Sequence, residues 1–133
     1  MRVVLDTNIL ISAFVFPGGT PETVYRLALE ERVQLVTSPA LLAEFGRVLA
    51  EKFRWSPSRA GEAVAHVARV GLVVEPSERV RAVKADPTDD RILEAASEGK
   101  ADTIISGDSH LHRLGSWQGI PVVTAATFLA EFE

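Results

Sequence analysis

Residues 1–14 read MRVVLDTNILISAF, an aliphatic run that stops at an acid, a hydroxyl and an amide before apolar residues resume. Read as a strand running into a helix, the stretch gives its polar residues a local purpose. Thr7 or Asn8 caps the helix and Asp6 meets the first-turn amides. An acid placed at a strand end for chemistry looks the same. The rest of the chain has to decide between the two.

Four further aliphatic runs follow: VQLVTS at 33–38, GLVVEP at 71–76, DTIISGD at 102–108 and IPVVTA at 120–125. The segments between them carry helical spacing. PETVYRLALEE repeats apolar positions at Val24, Leu27 and Ala28, and PALLAEFGRVLAEKF sets Leu41, Leu42, Phe45, Val48 and Leu49 along one stripe. In SPSRAGEAVAHVARVG, Ser56 or Ser58 starts a helix and Gly71 stops it, while the segment from Asp89 to Glu98 stops at Gly99. Strands alternating with helices imply a parallel sheet covered on both faces. The expectation is a single α/β domain over 1–133, a three-layer sandwich without internal repeats.

Consecutive parallel strands joined by right-handed crossovers share one C-terminal edge, and ligands bind there. Asp6 ends the first run and Asp108 follows the fourth. Asp90 opens a helix after the loop KADPTDD, in which Asp86-Pro87 reads as a turn, and Glu44 lies on the helix after the second run. Alone, Asp6 reads equally well as a cap, while DPTDD and SGDSHL read first as turn and loop chemistry and Glu44 as a solvated helix side chain. The shared edge of Asp6, Asp90 and Asp108 favours a site. Clustered carboxylates repel and require a compensating cation. Hard divalent ions suit oxygen ligands, and such ions support phosphodiester hydrolysis.

Composition is compatible with that reading. At 133 residues, with 47% hydrophobic and 24% charged residues, the chain is large enough for one real core. It has no cysteine, which excludes disulfides, thiolate metal sites and a cysteine nucleophile and makes a cytoplasmic protein the expectation. No targeting segment is expected, and the N-terminal apolar stretch is too short to span a bilayer. The net charge of -4 weighs against a nucleic-acid partner at first sight. If Asp6, Glu44, Asp89, Asp90 and Asp108 gather in one site, however, the remainder is close to neutral, and metal ions invert the sign of the site.

The motifs VVLDTNILISAF, SPALLAEFGRVL, DPTDDRILEAA and IISGDSHL occur in the order and approximate spacing of a PIN-domain ribonuclease, and this resemblance covers essentially the whole chain. It is similar in particular to the VapC-like toxins of toxin-antitoxin pairs. The resemblance implies a PIN-like sheet of about five parallel strands in the order 3-2-1-4-5. It also implies that Asp6, Glu44, Asp90 and Asp108 are the catalytic, metal-binding acids, with Mg2+ or Mn2+ as the ion. Asp90 is preferred because it precedes RILEAA, which leaves Asp89 an accessory acid, and Asn8 and Ser106 match polar positions that orient the acids. RNA as substrate, products with 5′-phosphate and 3′-hydroxyl ends, a small antitoxin partner and a homodimer are further implications.

Arg47, Lys52, Arg54 and Arg91 sit near these acids in sequence and are candidates to receive an RNA backbone, or are simply solvated helix positions. Trp55 and Trp117 fit base stacking or packing equally. His110 and His112, two apart, face different ways on a helix and are read as surface or hydrogen-bonding residues, and His66 as a helix residue without evident partner. Two other functions remain open at this level: a phosphate-accepting receiver domain, and a noncatalytic PIN-like RNA-binding module.

Overall fold

The computed structural model describes residues 1–81 and 87–132. The chain runs β1 (Arg2–Leu5), α1 (Thr7–Val15), α2 (Thr20–Leu29), β2 (Gln34–Thr37), α3 (Pro39–Glu51), α4 (Pro57–Val70), β3 (Leu72–Val73), α5 (Pro87–Glu98), β4 (Thr103–Ile105), α6 (Ser109–Leu114), β5 (Ser116–Trp117), β6 (Ile120–Val123) and α7 (Ala125–Glu131). The Asp86-Pro87 turn read from the sequence begins outside the described residues.

The sheet order is β3-β2-β1-β4-β6-β5, parallel except for the β5–β6 pair. The five parallel strands follow the expected order, with β6 as the fifth. The additional strand β5 arises because Gln118 and Gly119 both take positive φ, 51° and 81°, between the paired residues Trp117 and Ile120. Two consecutive positive-φ residues make the tight hairpin whose twist matches antiparallel strands. This order also removes the receiver reading: a flavodoxin-like sheet sets its third strand beside the first, whereas β3 here is the edge neighbour of β2.

Side-chain alternation along the strands divides the core into two layers. Val3, Leu5, Leu35 and Ile105 face α1 to α4 and α7, where Leu10, Phe45, Leu49, Val67 and Phe128 are buried against them. Val4, Val36, Ile104 and Val122 face the opposite way, onto Ile92, Leu93 and Ala96 of α5 and Leu111 of α6. Residue types at the helix starts account for the boundaries. Ser38 and Ser56 accept from the amides of Leu41 and Arg59, each followed by a proline in the first turn. At the start of α1 the cap is Asp6 itself, in place of the expected Thr7 or Asn8. Asp6 has extended backbone angles (φ -55°, ψ 146°), which a capping residue needs and a helical one lacks. Among the described residues, no helix is long and apolar enough to cross a membrane.

His66 corrects a second expectation. Its Nδ1 and the hydroxyl of the buried Tyr25 share a hydrogen bond of 2.8 Å, and its ring meets Phe14 edge-on. Burial pushes the Tyr25 hydroxyl far above the usual phenol range, an effect that nearby Arg69 only partly offsets. The folded protein therefore holds this proton where the unfolded chain releases it. That share of stability is complete below the unfolded pKa of about 10 and is lost as pH rises beyond it. Tyr25 is the single tyrosine of the chain, so phenolate absorbance during alkaline titration reports on it directly. The expected midpoint lies above that of free tyrosine and coincides with loss of structure.

Gly99 closes α5, its amide bonding Ala95 O at 2.9 Å, and lies directly on β2. A Cβ at this position would collide with the Val36 side chain and crowd Ala95 O at 3.1 Å. Gly99→Ala is expected to destabilise the fold by about 1–3 kcal/mol, seen as a lower urea midpoint with unchanged slope.

Candidate active site

Parallel pairing of Leu5 with Ile105 brings the residues that follow them, Asp6 and Ser106, side by side at the C-terminal edge of the sheet. The Asp6 amide bonds Ile105 O at 2.9 Å, and the Ser106 amide bonds Val123 O at 2.9 Å, so both backbones are held after the strands end. The fully buried Ser106 hydroxyl donates to Asp6 Oδ2 at 2.6 Å and accepts from the Asp108 amide at 2.9 Å. One hydroxyl thereby joins two acids that are far apart in sequence. Both acids are also helix caps. Asp6 Oδ1 accepts from the Asn8 amide at 3.2 Å, and Asp108 Oδ1 accepts from the amides of His110 and Leu111 at 2.7 and 3.2 Å.

The first turn of α5 brings two more buried acids, Asp89 and Asp90, each 4% exposed. Asp89, Asp108 and His110 each offer a ligand atom, and these atoms lie within 4.8 Å of one another. Asp90, the next residue along the same buried turn, is not in that group. His110 Nδ1 is buried as an atom and makes no hydrogen bond among the described residues, with Asp108 Oδ1 3.5 Å away. Two carboxylates and an unbonded imidazole nitrogen form a donor set that fits a divalent cation.

The remaining candidates are placed as follows. Glu44 is gripped by Arg47, with Nη2 to Oε1 at 2.6 Å and Nε to Oε2 at 3.2 Å, while Arg47 also bonds Glu51 Oε2 at 3.0 Å. These hydrogen bonds, that to Glu44 foremost, raise the Arg47 pKa further above its ordinary value. The Arg47 side of the pair is open to solvent while Glu44 is largely covered. The contact of Asn8 with Asp6 is through its backbone amide, its side chain being exposed. Lys52 lies over the Phe53 ring and Arg54 is exposed at φ 56°. Arg91 is mostly buried, ion-paired with Glu94 Oε1 at 2.9 Å and donating through Nη2 to Val80 O at 3.2 Å, so its guanidinium packs structure rather than facing solvent. Trp55 is stacked by Arg59, and Trp117 donates to Ser97 Oγ at 2.9 Å.

His110 is the member of this group that the sequence reading passed over. The separation of His110 from His112 does not bear on its relation to Asp108. Asp108 is a cap with extended backbone (φ -77°, ψ 128°), so helical spacing does not govern its relation to His110. An acid at the cap with histidine two residues later was the available signal. His112 itself donates through Nε2 to the Ser106 carbonyl at 2.5 Å.

Residues 2–110, which include every acid discussed above, match the family model described as a PIN domain. The chain belongs to the PIN-domain family. A protein of Methanocaldococcus jannaschii, the uncharacterised MJ1680, is 30% identical over 145 residues, spanning 100% of this chain and 92% of its own. Two solved structures share the fold at low identity. VapBC2 from Rickettsia felis, bound to a DNA fragment from its promoter, gives a TM-score of 0.61 at 13% identity, over 92% of this chain and 97% of that one. VapBC-1 from nontypeable Haemophilus influenzae gives 0.63 at 17% identity, over 95% and 99%.

In this PIN domain the Ser106 hydroxyl is the joint whose removal is most informative. Ser106→Ala deletes the bonds to Asp6 and to the Asp108 amide together and is expected to lower stability by about 1–3 kcal/mol. Thermal or denaturant unfolding measures the loss. A change within a few tenths of a kcal/mol would show that the hydroxyl is not the tie between the two acids.

Proposed function

We propose that this PIN domain is a divalent-metal-dependent endoribonuclease and the toxin component of a toxin-antitoxin pair, acting in the cytoplasm. The observation that carries the nuclease reading is the union of Asp6 and Asp108 through Ser106 at the sheet edge, with Asp89 of α5 brought beside Asp108. Asp6, Glu44, Asp90 and Asp108 remain the proposed catalytic acids, with Asp89 promoted from an accessory to a direct participant by its place in the group. Mg2+ or Mn2+, when bound, supplies the positive charge that a phosphodiester under attack requires and makes water acidic enough to serve as nucleophile. The protein's own contribution is to fix the carboxylates. Caps on α1 and α6 lock Asp6 and Asp108, and Glu44, paired with Arg47 in this structure, would contribute its carboxylate to a bound cation on release from that arginine.

Arg47, once released, joins Lys52 and Arg54 as exposed cations able to meet an RNA backbone. The toxin assignment is supported by the fold shared with two VapBC proteins. An antitoxin segment bearing an arginine would suit the same carboxylates through bidentate pairing. A homodimer is proposed on the same family ground.

Metal-stripped protein, assayed on RNA with the cleavage ends mapped, is expected to be silent and to recover with Mg2+ or Mn2+, leaving 5′-phosphate and 3′-hydroxyl ends. Asp6→Asn and Asp108→Asn are expected to abolish cleavage while retaining the circular dichroism of the parent, since asparagine caps helices as well as aspartate does. Cleavage that survives chelation, or survives both substitutions, eliminates this function. RNA binding without cleavage under any metal would point instead to a noncatalytic module. Co-expression with the adjacent reading frame tests the toxin role through complex formation and relief of growth arrest.

A further inference from the structure

We infer that His110 is a nitrogen ligand of the metal site and tilts its preference from Mg2+ toward Mn2+; this deepens the metal-dependent reading above and rests on it. Asp108 Oδ1 is committed to the amides of His110 and Leu111, which fixes the carboxylate plane and leaves Oδ2 without a hydrogen bond among the described residues. The first of those bonds also sets the root of the His110 side chain against Asp108. The imidazole then folds back toward the acids: Nδ1 lies 3.5 Å from Asp108 Oδ1, and a ring nitrogen of His110 lies within 4.8 Å of a carboxylate oxygen of both Asp89 and Asp108.

A buried ring nitrogen with no hydrogen bond has an unfavourable desolvation cost, and such atoms call for a partner. Nδ1 is in that position, and the oxygen facing it at 3.5 Å belongs to a carboxylate that already accepts two amides. A cation seated between the three donors satisfies the nitrogen lone pair and both acids together. Coordination requires neutral imidazole with its proton on Nε2.

The donor set bears on which cation. Mg2+ prefers an all-oxygen shell and keeps its waters, whereas imidazole suits first-row transition ions, of which Mn2+ also accepts carboxylates readily. An acid-only site has no reason to separate the two strongly. One built from Asp89, Asp108 and His110 does.

The test uses the metal-stripped full chain and the metal ions alone. Calorimetric titrations with Mn2+ and with Mg2+ are made on the parent, His110→Gln and Asp108→Asn. In parallel, substoichiometric Mn2+ is added while the three histidine rings are followed by NMR, with His66, hydrogen-bonded to Tyr25, as internal control. Expected results are selective broadening of the His110 ring and loss of Mn2+ affinity by about tenfold or more in His110→Gln, with Mg2+ affinity little changed. The capping bond uses the His110 backbone, so this variant keeps its helix. Should it misfold, the ring broadening in the parent still decides. If Asp108→Asn abolishes Mn2+ binding while His110→Gln and the His110 ring are unaffected, the inference falls and the metal site stands. If the parent binds neither ion, both fall.

Discussion

The Ser106 hydroxyl is the contact on which the arrangement of acids depends. It is buried between the ends of two adjacent parallel strands, gives its proton to one carboxylate and receives the amide of a second acid. That geometry exists only in one register. A slip of one residue between β1 and β4 would send Ser106 to the opposite face of the sheet, and Asp6 would lose its neighbour. The alternating burial of Val3, Val4, Leu5, Ile104 and Ile105 makes such a slip costly, since it would exchange the contents of the two core layers. The hydrophobic core thus holds the polar site in register.

The second support comes from α5, which carries Asp89 and Asp90 on its first turn and packs Ile92, Leu93 and Ala96 against the sheet. Glu94, also on this helix, is buried, accepting the Val80 amide at 2.8 Å and pairing with Arg91. A buried carboxylate is tolerated only when its partners are complete. Here the partners tie the segment after β3 to the helix that follows. At the other end of α5 the close seat of Gly99 on Val36 sets how far the helix descends along the sheet. One contact lies a turn beyond the acids and the other at the far end of the helix, and together they position Asp89.

Much of this was readable in the residues because it rests on short-range rules. Five aliphatic runs became the five parallel strands, and Ser56, Gly71 and Gly99 end or begin helices as their types predict. What escaped depends on geometry that periodicity does not carry. Gln118-Gly119 is a weak hairpin signal, and the two-residue strand before it has no pattern of its own. That Asp89 lies beside Asp108 and His110 depends on the rotation of α5 about its axis, which packing sets. Tyr25 and His66 meet across two helices, and no local rule pairs residues 41 positions apart. His110 meets Asp108 through the extended cap that opens α6, a relation that its spacing from His112 does not carry.

Asp6 and Asp108 have a double use that bears on how this protein can change over generations. Each carboxylate begins a helix, and each stands where a single nucleotide change from an aspartate codon gives asparagine. Asparagine keeps the cap and discards the charge. If these acids carry the proposed chemistry, its loss is one mutational step away and leaves both helix caps in place, whereas most routes to inactivity in a compact domain also damage the scaffold. Under that proposal a lineage built this way is able to shed catalysis and keep an intact surface, so silent relatives with a sound fold are an accessible evolutionary outcome of the capping arrangement itself.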